Sequence, residues 1–279
     1  MMASTLLERV LFPHQKVSAQ ALRKVVAGRT ILITGASFGI GEQVARRLAH
    51  AGARLLLVAR TASRLEALAA DIAAAGGSAS CHPCDLNDMA AVERLAAILP
   101  ALRPDIVISN AGKSIRRPAI EALDRFHDIS RTNMINFLSP CRLILAALPA
   151  MLERGGQIVS VSAANVLLPP APFWAAYQAS KTGFDQWLRS AAPELRARGV
   201  AVTSIYLPLV RTRMIAPTAS YDDVPAMQPD QAAARIVASL ITRRRHWAPW
   251  WLGPGHVLAP ALRTPWDAWT DWQQRRALR

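Results

Sequence analysis

The chain has 279 residues, 52% apolar and 19% charged, and carries a formal charge of +14. This length and composition suit one soluble domain with a large core; no apolar run reaches the roughly 18 residues of a membrane span. Its three cysteines are too few and too odd in number for a disulfide framework, and no secretory leader is read at the start, which points to a reducing, cytoplasmic setting. The positive charge would suit nucleic acid, an anionic membrane surface or an anionic cofactor. It is spread as arginine pairs and one triplet, Arg243 to Arg245, without zinc-finger spacing or an aromatic RNA-binding motif, so nucleic acid is not an expected partner.

Residues 1–28 read as an N-terminal extension whose "LLERVLFPHQK" is suited to packing on the domain or lying on lipid. From residue 29, apolar β-type runs alternate with Ala-rich helical stretches, the pattern of βαβ units and a parallel sheet. "RTILIT" predicts a first strand, "GEQVARRLAHAG" a helix stopped at Gly52, and "ARLLLVA" a second strand. Further strands are predicted at "SASCHPC", "DIVISN", "GQIVSVS" and "VAVTSIYLP". Strands so continuously apolar are buried on both faces. The expected fold is therefore α/β, a Rossmann-type doubly wound parallel sheet in a single domain over 29–255. A Trp/Arg-rich helix is expected over 256–279. The pair in "CHPC" falls in a strand, where residues three apart face opposite ways. With no second pair and scattered histidines, no metal site is expected.

"TGASFGIG", Thr34 to Gly41, joins the first strand to the first βα helix. Glycines there let the backbone turn tightly and let a pyrophosphate approach free N–H groups at a helix N-terminus. The spacing Gly35, Gly39, Gly41, with Ser37, Phe38 and Ile40 between, is Gly-x-x-x-Gly-x-Gly. With the motifs that follow, it resembles the short-chain dehydrogenase/reductase family. The second strand ends in Ala59 and Arg60, not the acidic residue that would hold the ribose hydroxyls of NAD; an arginine suits a 2′-phosphate, so NADP(H) is the expected cofactor. Arg64 is either a further charge there or a solvated helix residue. The resemblance extends to Asp85 and Leu86, matching the family's adenine-contacting pair, and to Asn110, Ala111 and Gly112, matching its turn after the fourth strand.

Tyr177 and Lys181 stand four apart, on one face of a helix, and fit the family's Tyr-x-x-x-Lys. An ammonium about 5 Å from a phenol favours the phenolate by about 3 kcal/mol at an effective dielectric of about 20, or about two pKa units. The resemblance assigns Tyr177 the proton transfer, Lys181 the tuning of that phenol and a hold on the nicotinamide ribose, and Asn136 a water relay, with Asn133 one turn earlier the weaker match. The family serine is missing from its usual place: counting thirteen back from Tyr177 gives Ala164, and alignment on the strand end gives Ala163. Ser162 is the candidate replacement, or else a hydroxyl satisfied by the sheet end; Asn165 is another donor.

"SNAGKSIRRP" and "PLVRTRMIAP" resemble, more narrowly, the reductase domain of bacterial fatty acyl-CoA and fatty aldehyde reductases. Pro208, Val210 and Thr212 fit the family's cofactor loop, with Leu209 where glycine is usual. Arg116 and Arg117 are either contacts for an anionic group such as a CoA phosphate or a solvated pair. Residues 213–230 are expected to form a substrate flap, and Phe173 and Trp174 to line the pocket. The resemblance implies NADPH-dependent reduction of a hydrophobic, long-chain aldehyde, acyl or ketone substrate in a homo-oligomer. A 3-oxoacyl or hydroxysteroid-type ketone reductase and a catalytically weak NADP-binding scaffold stay open. Six of the eight tryptophans follow residue 246. In "TPWDAWTDWQQRRALR", Thr264 is the expected N-cap and Pro265 the first helical residue. Trp266, Trp269 and Trp272 beside Arg275, Arg276 and Arg279 suit peripheral membrane contact, docking on the domain or a subunit interface.

Overall fold

The computed structural model describes residues 6–215, 221 and 223–277. Seven parallel strands stand in the order β3-β2-β1-β4-β5-β6-β7: β1 Thr30–Thr34, β2 Arg54–Ala59, β3 Ser78–Pro83, β4 Ile106–Ser109, β5 Gly156–Ala163, β6 Val200–Leu207 and β7 His246–Trp247. The first six are the strands expected from the apolar runs. The seventh is two residues long and has no such run; its pairing is His246 to Ser204 and Trp247 to Ile205.

The inner strands β1, β2, β4, β5 and β6 are buried because they present apolar residues to both sides, whereas the edge strand β3, Ser-Ala-Ser-Cys-His-Pro, has no buried residue and departs from the burial expected of it. Every residue of β1 and of β4 is buried. On one face lie α2 (Ala19–Val26), α3 (Gly39–His50), α4 (Ala62–Ala74) and α9 (Pro229–Thr242), around Ile31, Leu48, Leu65 and Ile236. On the other lie α5 (Met89–Leu102), α7 (Ser139–Arg154) and α8 (Ala175–Ala197), around Leu32, Leu99, Leu143 and Leu188. Chain order reverses between β1 and β4, so the loops after these strands part and leave a crevice at their carboxyl ends.

A continuous helix runs from α6 (Phe126–Asn133) through a π-helical turn, Met134–Leu138, into α7. Pro140 lacks the N–H that would bond the Asn136 carbonyl in a regular helix, and the helix widens just before it: Ser139 N–H donates to Met134 O, five residues back. The turn carries Asn136, which is 1% exposed; such wide turns commonly occur at functional sites. Over 126–154 this helix is long and apolar enough to cross a membrane by length and composition. Here it is a core helix that buries Leu143, Ile144, Ala147 and Met151 against the sheet.

The N-terminal extension is strapped to the domain. Glu8 of α1 (Leu6–Leu11) accepts bonds from Arg211 and from Ala226 N–H, Phe12 is buried, and Gln231 donates to the Phe12 carbonyl at 3.2 Å. At the other end, α10 (Leu252–Leu258) crosses the boundary expected at 255–256 and leads into α11 (Arg263–Ala277). Thr264 is therefore not the N-cap, and Pro265 is not the first helical residue. The preceding segment already turns helically, with Leu262 N–H bonded to Leu258 O and Trp266 N–H to Leu262 O, which leaves no open helix start for a threonine to close. Arg279 lies outside the described residues.

Asp105, 4% exposed, ties the start of the sheet together. Its carboxylate accepts from Thr30 N–H at 2.8 Å and from Arg29 at 3.2 Å, with Arg154 at 3.4 Å. Asp105→Ala is expected to destabilise the chain by about 2 kcal/mol, because it leaves the buried Thr30 N–H without a partner. A urea midpoint unchanged from wild type would contradict this.

Candidate active site

The glycine loop is built so that only glycines fit it. Gly35 and Gly39 have φ of +68° and +56°. A Cβ on Gly35 would stand 2.9 Å from Ala111 Cα, and one on Gly41 would stand 2.2 Å from the Gly35 carbonyl oxygen. Asn110 closes the other side, donating to the carbonyls of Thr34 at 3.0 Å and Gly35 at 3.2 Å, while Thr34 Oγ1 accepts from Asn110 and Ala111 N–H. Helix α3 then opens at Gly39, and Phe38 caps it with no side-chain bond. Its first N–H groups thus face the crevice without a side-chain partner, the arrangement that receives an anion.

Basic groups surround this end. Arg60 is exposed at the tip of β2. The guanidinium groups of Arg64 and Arg213 both lie over the Phe38 ring, 5.0 and 4.2 Å from its centre. Ser37 and Ile40 are half-buried in the loop. Asp85 accepts from Asn87 N–H at 2.9 Å, and the buried Leu86 offers its carbonyl to Ser139 Oγ at 2.6 Å. Val210 is buried, and Thr212 sits against the loop, its Cγ2 3.3 Å from the place of a Gly39 Cβ. Pro208 follows β6 in a half-buried position.

Helix α8 brings the Tyr177 face to the same crevice. Lys181, 7% exposed, donates to the Val161 carbonyl at 3.1 Å, and its Nζ lies 3.2 Å from where a Gly112 Cβ would stand. Asn136 accepts from Lys113 N–H at 2.8 Å and donates to Lys113 O and Ser180 Oγ, both at 2.9 Å; Ser180 in turn donates to Tyr177 O at 2.8 Å. Asn133 turns away and bonds Ile129 O. Two surface depressions, of about 330 and 120 Å3, lie at the opposite end of the sheet, around Arg54 and Arg103 and around Arg46 and Asp71.

Residues 29–222 match the family model of short chain dehydrogenases. The chain belongs to that family. It is 46% identical over 229 residues to a fatty acyl-CoA reductase of Acinetobacter baylyi, covering 81% of this chain and 77% of that protein. It is 40% identical over 241 residues to a fatty acyl-CoA reductase of Mycobacterium tuberculosis, covering 85% and 82%. A short-chain dehydrogenase from Sphingobium yanoikuyae, solved in complex with NADPH, superposes with a TM-score of 0.74 at 27% identity over 89% of this chain and 94% of that one. The chain is an oxidoreductase of the short-chain dehydrogenase family.

The position of the hydroxyl that this family usually places beside the tyrosine is decided by strand alternation. In β5, Ile158 packs on the α8 side and Val159 and Val161 on the other, so Ser160 and Ser162 face α8 and Ala163 faces away. Ser162 is 6% exposed, and its Oγ has no hydrogen-bond partner among the described residues. Asn165 Oδ1 is likewise buried and unpartnered, while its carbonyl accepts from Gln178 at 2.6 Å.

Several residues around the site carry no signal in the sequence. Ser180 stands inside the Tyr-x-x-x-Lys spacing but was not singled out there. Asp185, 1% exposed, accepts from Ser204 Oγ at 3.1 Å and Tyr206 Oη at 2.9 Å, pinning α8 to β6. These partners lie 19 and 21 residues away, beyond the reach of any local pattern.

The expected lowering of the phenol by the lysine is not found in this arrangement. Burial, with a contribution from Tyr221, pushes Tyr177 up to about 12, and burial pushes Lys181 down to about 8. Each group moves towards its neutral form because each is desolvated without a counter-charge. Below pH 8 the folded chain thus carries a buried ammonium whose strain unfolding would relieve. Lys181→Met is expected to be more stable than wild type at pH 7, by on the order of 1–3 kcal/mol. The advantage should shrink as pH rises from about 8 towards the free-lysine value of about 10.4. Urea unfolding at pH 7 and pH 10 measures both limbs, and a less stable variant at pH 7 would refute the reading.

Proposed function

We propose that the chain is an NADPH-dependent reductase of long, apolar carbonyl compounds, with fatty aldehydes and acyl thioesters as the substrate class. The observation that carries this reading is the sharing of one crevice by the glycine loop and the Tyr177 helix, joined through Asn110, Gly112, Asn136 and Lys181. The names of the two reductase relatives support the substrate class.

Gly35, Gly39 and Gly41 with the α3 N-terminus would hold the pyrophosphate; Arg60 would take the 2′-phosphate; Asp85 and Leu86 would border the adenine. Asn110, Ala111, Gly112, Pro208, Val210 and Thr212 would flank the nicotinamide half. NADPH, when bound, supplies the hydride for the carbonyl carbon. Tyr177, held up near 12, keeps its proton through neutral pH and donates it to the carbonyl oxygen, which turns an aldehyde into the alcohol; with a thioester the hemithioacetal so formed breaks its C–S bond and releases the thiol, leaving the aldehyde. Lys181 then pairs with the phenolate left behind and, at about 8, has a proton to return. Asn136 fixes Lys113 and Ser180 on either side of the path by which protons reach Lys181. Ser162 has a hydroxyl with no partner among the described residues, and the incoming carbonyl oxygen would satisfy it.

The same reading makes this a cytoplasmic, homo-oligomeric enzyme that meets membranes at their surface. No residue of α11 through 276 is buried. Trp269 and Trp272 are 46% and 54% exposed, with the Arg276 guanidinium 5.4 Å over the Trp272 ring. At about 100° per residue these two tryptophans share a stripe with Arg276, while Asp267 and Asp271 lie on the far side. Trp266 holds the helix to the pocket side of the domain through the Pro170 carbonyl at 2.8 Å.

Tyr177→Phe is expected to abolish NADPH consumption with a C8–C16 aldehyde panel, and Ser162→Ala to slow it by about 10²- to 10³-fold. Turnover by Tyr177→Phe at the wild-type rate would refute the mechanism, and binding of NADPH without turnover by wild type would favour a scaffold. In flotation with phosphatidylglycerol vesicles, Trp269→Ser/Trp272→Ser should lose binding and keep turnover of a short soluble aldehyde. Equal flotation of wild type and variant would remove the membrane contact from the proposal.

A further inference from the structure

Helix α1 is turned inside out. At about 100° per residue, Leu6, Val10 and Leu7 fall within an arc of about 100°, and Glu8 lies about 150° from its centre. In a helix packed on a soluble domain the apolar arc faces inward. Here the carboxylate does: Glu8 is 6% exposed, whereas Leu6, Leu7 and Val10 are 78%, 54% and 57% exposed. Glu8 is held in this position by Arg211 at 3.0 Å and by Ala226 N–H at 3.1 Å. Just beyond the helix, Phe12 enters the core and Gln231 takes its carbonyl.

The apolar face does not end at α1. Trp250, 63% exposed, donates its indole N–H to the Val10 carbonyl at 3.2 Å, so its ring stands beside the helix. An indole with its polar edge satisfied and its ring in the open suits the boundary between water and hydrocarbon. Helix α10, two residues on, buries Leu252 and exposes Val257 and Leu258. The charge carried by these segments has one sign. Glu8 is the single acid among residues 1–41, against Arg9, Lys16, Arg23, Lys24 and Arg29, all exposed. No acid stands between Asp230 and Asp267, where there are five arginines. A second copy seated on this face would set like charge against like charge, whereas anionic headgroups would neutralise it.

We propose that the outward face of α1, with Trp250 beside it, docks in the headgroup region of an anionic lipid bilayer. The face is small, so alone it gives weak, reversible binding; a second contact on α11 multiplies it. Because Glu8 bonds Arg211 and Ala226, the docked helix holds both ends of the connection between β6 and α9 at the membrane surface, where long-chain carbonyl compounds partition. That consequence for substrate supply rests on the reductase reading; the docking itself does not.

The test is partition onto mixed phosphatidylglycerol and phosphatidylcholine vesicles, using wild type, Leu6→Ser/Leu7→Ser/Val10→Ser and Trp269→Ser/Trp272→Ser. The triple variant alters exposed side chains only, and with α11 intact it should bind about tenfold or more weakly. Wild-type binding should fall on phosphatidylcholine alone and on raising salt from about 0.1 to about 0.5 M. Amide exchange of wild-type residues 6–11 should slow when anionic vesicles are added, a readout that needs no variant. The docking is overturned by absence of wild-type binding, by equal binding of wild type and triple variant, or by exchange over 6–11 that vesicles do not change. It is also overturned if the triple variant forms a smaller assembly than wild type in lipid-free sedimentation, which gives the face to a second copy. Loss of binding in the triple variant alone supports α1 and removes α11. Turnover of vesicle-borne hexadecanal should fall in parallel with binding, while that of a short soluble aldehyde is kept. Wild type inert towards both aldehydes counts against the reductase reading, and partition and exchange then decide the docking.

Discussion

The site depends on how helix α8 is clamped to the carboxyl end of the sheet. Its inner face is apolar at Phe184 and Leu188, yet three polar groups are buried along the same helix, each with a partner on another element. Lys181 reaches the Val161 carbonyl, Asp185 takes the hydroxyls of Ser204 and Tyr206, and Ser180 meets Asn136. Apolar packing alone would leave the helix free to slide by fractions of an ångström. Buried hydrogen bonds do not tolerate that, because each broken one leaves an unsolvated group. Tyr177 inherits its position from these neighbours.

The same burial sets the electrostatics. Tyr177 and Lys181 are both driven towards neutral forms, and burial also raises the Asp185 carboxyl against the bonds that hold it down. Below about pH 8 the interior side of the crevice therefore carries the Lys181 ammonium as a desolvated charge. The outer side carries solvated ones: Arg64 and Arg213 lie over the Phe38 ring, and Arg60 stands exposed at the tip of β2.

The terminal segments gather round the mouth of the crevice. The α1 residue Glu8 ties down Arg211 and Ala226 on either side of the flap, Trp250 donates to the Val10 carbonyl at 3.2 Å, and His256 and Trp266 bond the carbonyls of Leu167 and Pro170 ahead of α8. These contacts leave Leu6, Leu7, Val10, Val257, Leu258 and Trp272 exposed, each by half or more. Both extensions thus present apolar groups outward from the segments that frame the site, and part of the flap, 216–220 and 222, lies outside the described residues.

Strands β1, β2 and β4 to β6, the glycine loop and the Tyr177–Lys181 spacing were legible in the sequence because each is local: strand burial on both faces needs an apolar run, a tight βα turn needs glycines, and four residues make one helical turn; β3, exposed at the sheet edge, has no such run. Other features are products of tertiary structure. The β7 strand exists because Ser204 and Ile205 offer an edge to a two-residue partner. The face on which Ser162 lies follows from the register of β5. The pKa shifts of Tyr177 and Lys181 reverse the expectation drawn from their spacing, since spacing reports the distance between two charges but not how much water each has lost. Local pattern therefore determined most of the elements and the candidate site residues. Only packing between distant elements decided their orientation and protonation, because desolvation and long-range hydrogen bonds exist only once the chain has closed on itself.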